Sequence, residues 1–248
     1  MPPPVEHIFL DDGGVLNDNA QRGQQWPGLV GEYFAPLLGG SATRWASANR
    51  MVIRGVMERW ERRAGREWDG KQTPRDLYDA HQLDWISSMA AEVGAELPAD
   101  DAARIAMADA ATDNIQRRVR AAYPGEVEAV MELSIDYPLY TASGGCSWEL
   151  ERVHESVGLT GVFKTLYGSD LVEHPKSGPG YYERIFAHAG VDPATALVLD
   201  DKVQCLAWAR EAGARTILVS GARMKYEGVE ATISSLAELP GLIIAKGL

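Results

Sequence analysis

The sequence predicts an α/β fold: a mainly parallel sheet covered on both faces and interrupted by an all-helical insert. Two observations carry this expectation. Short apolar runs that end in acidic, serine or glycine residues alternate with helical patterns, as strand–helix–strand units do. One long stretch, residues 18–122, instead shows apolar positions at helical spacing and almost no strand-like run.

The elements follow in order. After a short proline arm, Ile8, Phe9 and Leu10 form a continuous apolar run closed by Asp11, Asp12, Gly13 and Gly14, which predicts a buried strand with a loop at its carboxyl end. In the insert, Ile53, Val56, Met57 and Trp60 follow the i, i+3, i+4, i+7 rule, as do Ile86, Met89, Ala90 and Val93. About four helices fit this length. Tyr123-Pro124-Gly125 marks the exit, and a helix carrying Val127, Val130 and Met131 follows, with Pro124 suited to its first turn. Further strands are expected at Leu139-Tyr140, Ala196 to Leu199 and Thr216 to Val219. Helices are expected around Leu150, Val153 and Val157 and around Val203, Leu206 and Ala207. The expected domains are therefore an α/β core of residues 1–17 and 123–248 and a helical insert of residues 18–122.

The chain has 248 residues, 46% of them apolar and 24% charged, ample for one or two buried cores and unlike collagen-like, disordered or disulfide-scaffold compositions. Lysine plus arginine number 24 against 35 acidic residues, a net charge of −11. A nucleic-acid backbone or an anionic membrane is repelled overall, so a small molecule or another protein is the expected partner; oligomeric state is not legible. Cys146 and Cys205 are the two cysteines, and no signal-peptide pattern or membrane-length apolar run appears, so free thiols and a cytoplasmic location are expected.

Open α/β sheets bind ligands beyond the carboxyl ends of their strands. There the sequence offers Asp11 to Gly14, then Thr141-Ala142-Ser143-Gly144-Gly145, then Asp200-Asp201, with Lys176 in a loop-like segment ahead of a helix. Several carboxylates cannot stay close and ionised without a compensating charge. A hard cation held by few protein oxygens at roughly 2.0–2.1 Å, leaving room for water and phosphate, is the Mg²⁺ pattern. Thr141, Lys176 and the amides from Ser143 to Gly145 complete an anion clamp, and the set describes phosphoryl transfer.

With IFLDDGGVLND, YTASGG, HPKSGP and LVLDDKVQCLAWAREAG in this order, the sequence resembles the haloacid dehalogenase-like (HAD) superfamily, in the subgroup with a type-1 helical cap between the first two motifs. The resemblance implies a Rossmann-like core with a cap that closes over the site. It also implies Asp11 as nucleophile, Mg²⁺ held by Asp11, the Gly13 carbonyl, Asp200 and Asp201, and phosphoryl binding by Thr141 and Lys176, with Ser143 and Gly144 beside them. A Mg²⁺-dependent phosphatase acting on a small phosphorylated metabolite is the activity it implies. Dehalogenation, phosphonate cleavage and a non-catalytic binding role are the alternatives.

One position departs from the family pattern. Its phosphatases carry a second aspartate two residues after the nucleophile, as general acid and base; here that position is Gly13. Asp12 is a poor substitute, because adjacent side chains of an extended segment face opposite ways. His81 or His174 could supply the proton instead. The insert also carries Arg44, Arg50, Arg54, Arg59, Arg62, Arg63 and Arg66 among Trp26, Trp45, Trp60, Trp68 and Trp85. A substrate-recognition surface is one reading; helix-face ion pairs around a small aromatic core is the preferred one.

Overall fold

Parity along the first apolar run sets up both faces of a sheet. In the computed structural model, which describes residues 3–66, 69–222 and 226–248, Ile8, Phe9 and Leu10 are fully buried in β1 (His7–Leu10). Successive strand side chains point to opposite faces. Ile8 and Leu10 accordingly join one core cluster with Leu139, Leu197 and Ile217, and Phe9 joins the other with Tyr140, Val198 and Leu218. Phe9 stacks on Tyr140 at 4.6 Å between ring centroids. Covering on both faces is why these strands read as unbroken apolar runs rather than alternating ones.

The expected runs become β2 (Leu139–Ala142), β4 (Ala196–Asp200) and β5 (Arg215–Val219). Two strands had no expected counterpart: β3 (Thr165–Tyr167) and β6 (Ala231–Ile233), each three residues long. The order is β3-β2-β1-β4-β5-β6, all parallel. The chain winds one way from β1 to β3 and the other way from β4 to β6. The reversal therefore falls between β1 and β4, the place beyond whose strand ends open α/β sheets bind ligands.

The chain divides into two compact units, residues 1–19 with 121–248, and residues 20–120. Within the first, the segments leading out and back pair antiparallel: the Asp18 amide donates to the Ala121 carbonyl at 2.7 Å and the Tyr123 amide to Leu16 at 3.3 Å.

The second unit is built from α1 (Asn19–Leu38), α2 (Ala42–Glu61), α3 (Pro74–Val93) and α4 (Asp101–Gln116), the four helices expected. Ser41, Thr73 and Asp100 cap α2, α3 and α4 by accepting from backbone amides, and Asp76 returns the bond to Thr73 in a capping box. Phe34 stacks on buried Trp45 at 5.0 Å and meets Trp85 edge-on at 5.9 Å. The Trp85 indole donates to Asn49 at 2.9 Å. Arg59 grips Asp84 through two bonds of 2.6 and 2.9 Å, with Arg63 at 3.7 Å. Core packing thus accounts for Trp45 and Trp85, and ion pairing for Arg59 and Arg63. Trp68 and the Arg66 side chain lie outside the described residues. Met57, expected on the buried stripe, is exposed, because the buried face of α2 runs through Trp45, Asn49 and Val56.

In the sheet unit, α5 (Glu126–Asp136), α6 (Ser147–Ser156), α7 (Pro179–Ala189), α8 (Val203–Glu211) and α9 (Leu239–Lys246) cover the two faces. Pro124 lies in the turn before α5 rather than in its first turn, since Gly125, at φ 81°, is the N-cap. Rotation of the helix accordingly buries Val130 and Leu133 and leaves Met131 exposed. No described helix is long and apolar enough to cross a membrane.

Glu126, 1% exposed, accepts from the Leu236 amide at 3.1 Å and from the Ser235 hydroxyl at 3.3 Å, while Oε2 is buried without a partner. Burial pushes its carboxyl up to about 7, against the pull of those two donors. An acid whose folded pKa exceeds its unfolded value stabilises the fold below the unfolded pKa. That contribution is lost as pH rises through the folded one. We therefore expect the protein to lose stability between pH 5 and 8 through this group. Glu126→Gln should remove that part of the pH dependence and be more stable than the parent at pH 8 by about 1–3 kcal/mol, read by denaturant unfolding at both pH values.

Candidate active site

β1 and β4 end side by side at the reversal of strand order, so Asp11, just past β1, and Asp200, the last residue of β4, arrive together. Asp11 shares the parity of Phe9 and Asp12 that of Leu10. As that alternation requires, Asp12 turns away from Asp11, accepting from the Asn17 carboxamide at 2.7 Å and lying 3.7 Å from the His154 ring. The Asp12 carbonyl also receives the Leu16 and Asn17 amides at 2.9 and 2.8 Å. Asp12 thus knots the loop after β1 and is not a group beside Asp11.

Lys176 reaches this point from the loop before α7. Its ammonium donates to Asp11 at 2.9 Å, to Asp200 at 2.6 Å and to the Ala142 carbonyl at 2.6 Å, which uses all three of its protons. Burial alone would lower the lysine's pKa, but Asp11 foremost, with Asp200, holds it well above its ordinary value. Burial pushes the Asp11 carboxyl up to about 7; Lys176 opposes this and Asp200 adds to it. Asp201 is likewise raised, by burial and then by Asp200.

Asp11, Asp200 and Asp201 bring carboxylate oxygens within 4.8 Å of one another. These three carboxyl groups share one ammonium, so with all three ionised two negative charges would be left over. Asp201 Oδ1 is buried with no hydrogen-bond partner. An all-oxygen set with two uncompensated charges and an orphaned carboxylate oxygen fits a hard divalent cation. The loop glycines make the approach possible. Gly14 has φ +94°, and a Cβ there would lie 2.3 Å from Asp201 Oδ2. Asp200 Oδ1 also accepts from the amide of Lys202, the N-cap of α8, at 2.8 Å.

The anion clamp is narrower than the sequence suggests. The Ser143 amide donates to the Tyr167 carbonyl and the Gly145 amide to the Ser143 hydroxyl. At the start of α6, the Cys146 amide is taken by Glu149 and the Ser147 amide by Asp170. The Gly144 amide donates to no described residue, and Gly144 packs under the Lys176 stem. Thr141 is fully buried, its hydroxyl proton directed to the Tyr167 carbonyl at 3.1 Å. Tyr181, which the sequence did not single out, braces the loop by donating to the Ser143 carbonyl at 2.7 Å. Asp170 ties the loop after β3 to α6, and Gly168 has no space for a side chain, since a Cβ would lie 2.5 Å from the Ser147 amide nitrogen.

The suggested proton donors fare differently. His81, in α3, is held neutral by burial, which lowers its pKa to about 4, so it carries no proton to give near neutral pH. The His174 ring shares a 2.6 Å hydrogen bond with the Pro175 carbonyl through Nδ1. Cys146 and Cys205 are buried and form no disulfide with a described residue, and burial pushes the Cys205 thiol up to about 12.

Residues 84–219 match the sequence profile of the family described as haloacid dehalogenase-like hydrolase, more than half of the chain. The chain belongs to the haloacid dehalogenase-like hydrolases. As a HAD-like hydrolase it shares 30% identity over 99 residues with the "Probable phosphatase IndB" of Dickeya dadantii (strain 3937), 40% of this chain and 43% of that protein. The chain thus matches less than half the length of this curated relative. Among solved structures, the defluorinating L-2-haloacid dehalogenase Rha0230 superposes with a TM-score of 0.69 at 16% identity, covering 98% of this chain and 100% of that one. YfnB from Bacillus subtilis, crystallised bound to magnesium, gives 0.67 at 15%, covering 97% and 99%. The L-2-haloacid dehalogenase of Xanthobacter autotrophicus gives 0.64 at 17%, covering 97% and 98%. At these identities the likeness shows the HAD fold, an α/β core with a helical cap domain.

Removing the ammonium strands two buried carboxylates. Lys176→Met should destabilise the protein by about 3–5 kcal/mol in denaturant unfolding at neutral pH. An effect below 1 kcal/mol would mean that the three bonds to Nζ are not made in solution.

Proposed function

We propose that this HAD-like hydrolase is a Mg²⁺-dependent phosphohydrolase acting on a small phosphorylated compound through an aspartyl-phosphate. The observation that supports it best is the convergence of Asp11, Asp200 and Asp201 with two negative charges left over beside Lys176. A haloacid dehalogenase needs a nucleophilic carboxylate but no cation to offset phosphoryl charge, and the third carboxylate is unexplained by that chemistry. The partial match to IndB points the same way. Gly13 is the observation that favours the second reading, dehalogenation, since that reaction needs no acid for its leaving group.

In the proposed reaction Asp11 forms a bond to phosphorus while the bond to the leaving oxygen breaks, and water then attacks phosphorus to release phosphate and restore Asp11. Lys176 orients the Asp11 carboxylate and favours its ionised form against the effect of burial. The Gly144 amide, and Thr141 after its hydroxyl turns from the Tyr167 carbonyl, bind phosphoryl oxygens, with Ser143 shaping the loop. Asp11, Asp200, Asp201 and the Gly13 carbonyl would hold Mg²⁺. Bound there, the ion neutralises the phosphoryl charge and the carboxylate repulsion. The proposed partner is therefore a small phosphorylated molecule, with no nucleic acid or membrane.

A panel of phosphomonoesters, acyl phosphates and L-2-haloacids, assayed with and without Mg²⁺, tests this. We expect phosphate release that needs the metal and falls at least ~10³-fold in Asp11→Asn, as loss of a covalent nucleophile should. Metal-independent halide release, also abolished by Asp11→Asn, would replace the phosphohydrolase reading with dehalogenation.

A further inference from the structure

Gly13 has no side chain, so what it offers a cation it offers through its carbonyl, and the direction of that carbonyl is set by the peptide planes around it. Asn17 holds the planes on both sides. Its amide donates to the Asp12 carbonyl at 2.8 Å and its carbonyl accepts from the Gly14 amide at 2.7 Å, a parallel bridge between Gly13 and Asn17. The Gly13 carbonyl and the Gly14 N–H belong to one trans peptide and point opposite ways. With that N–H on Asn17, the Gly13 carbonyl faces away from Asn17.

Asn17 is held in turn by the Asp12 carboxylate. Its carboxamide donates to Asp12 Oδ1 at 2.7 Å, and both residues are buried. His154, in the last turn of α6, places Nε2 3.7 Å from that same Oδ1. This distance is within ion-pair range and beyond that of a hydrogen bond. The His154 side chain is 2% exposed, its ring lies 4.7 Å from that of Phe163, and both ring nitrogens are buried without a hydrogen-bond partner among the described residues. Buried polar atoms left in this way call for a reason.

Resting on the Mg²⁺ part of the phosphohydrolase reading, we infer that His154 is a positioning residue: acting through Asp12 and Asn17, it fixes the direction in which the Gly13 carbonyl meets the ion.

An imidazole offers an N–H from one ring nitrogen when neutral and from both when protonated, so its Nε2 edge can attract Oδ1 in either state. The buried setting makes that attraction stronger than it would be in water. Phe163 packs against the ring. Removing the ring leaves a buried carboxylate with less to hold it, and Asn17, the Gly14 amide and the Gly13 carbonyl follow through the bonds above.

The test is calorimetric titration of the full chain with Mg²⁺ in the absence of substrate, which reads the ion rather than turnover. His154→Leu keeps apolar bulk against Phe163 and should weaken Mg²⁺ binding ~10- to 100-fold, the usual cost of losing a group that supports a metal ligand. Asp12→Asn removes the charge that the ring faces. In that background His154→Leu should change Mg²⁺ affinity by less than about threefold. Unchanged affinity in His154→Leu alone, or an equal loss in both backgrounds, would overturn the inference, since the ring would then serve packing only. Should the single variant fail to fold, the parent protein decides. Coupling is reciprocal, so Mg²⁺ should move the His154 ring signals in NMR spectra along the calorimetric saturation curve. Ring signals that stay fixed at saturating Mg²⁺ would overturn the inference and leave the phosphohydrolase reading standing. A parent protein that binds no Mg²⁺ and needs none for activity would overturn that reading itself, and the inference with it.

Discussion

The ammonium of Lys176 is the constraint on which the site is built. It is a buried cation with three acceptors from three different strand ends: Asp11 after β1, the Ala142 carbonyl at the end of β2, and Asp200 at the end of β4. None of the four groups is tolerable there without the others, since an unpaired buried charge costs several kcal/mol. The bonds therefore act as a clamp on strand positions that the sheet brings near one another. The lysine does not complete the neutralisation, and Asp201 adds a further carboxylate held against Gly14. That residual charge lets one arrangement serve both as a fold staple and as a candidate cation site. A fully neutral cluster would be more stable and chemically inert.

The strand order explains why these residues meet. In the β3-β2-β1-β4-β5-β6 arrangement the two central strands are β1 and β4, separated in sequence by the 185 residues from Asp11 to Thr195 but paired residue for residue from His7 with Ala196 to Leu10 with Leu199. Parity then distributes roles between adjacent acids. Asp11 faces Lys176, whereas Asp12 is spent on Asn17 and His154 in stabilising the turn. Two neighbouring aspartates, chemically identical in sequence, thus acquire different environments from a single step of backbone alternation.

Much of this was legible because it depends on local pattern. Four strands were marked by apolar runs buried on both sides, and the insert helices by the spacing of their apolar residues. The strands β3 and β6 left no such mark. Three residues are too few for a periodicity, and Thr165-Leu166-Tyr167 becomes a strand by pairing with β2 rather than by its own preference. The motif residues Asp11, Lys176, Asp200 and Asp201 could be gathered at one edge from strand ends alone. What could not be read were the contacts that depend on packing between distant segments. Glu149 and Asp170 take amides that a glycine-rich loop seemed to leave free, and Tyr181 braces that loop from α7. The amphipathic stripe also misplaced Met57 and Met131, since spacing gives a face but not its angle to the rest of the core.

Position 13 shows most clearly how a sequence difference and a structural one can carry different information. In sequence, glycine there reads as a loss, an acid deleted from an otherwise complete motif. In the structure, the two adjacent glycines are spaces used by other residues: Gly14 accommodates Asp201, and Gly13 accommodates Asn19. The first substitution would be strained by its positive φ and by the carboxylate pressed against it. The second has an ordinary backbone, so an aspartate there is excluded only by the carboxamide already in place, and that carboxamide is on a flexible side chain. The absence of an acid at position 13 is therefore not imposed by the fold. It is a property of the pair of residues, Gly13 with Asn19.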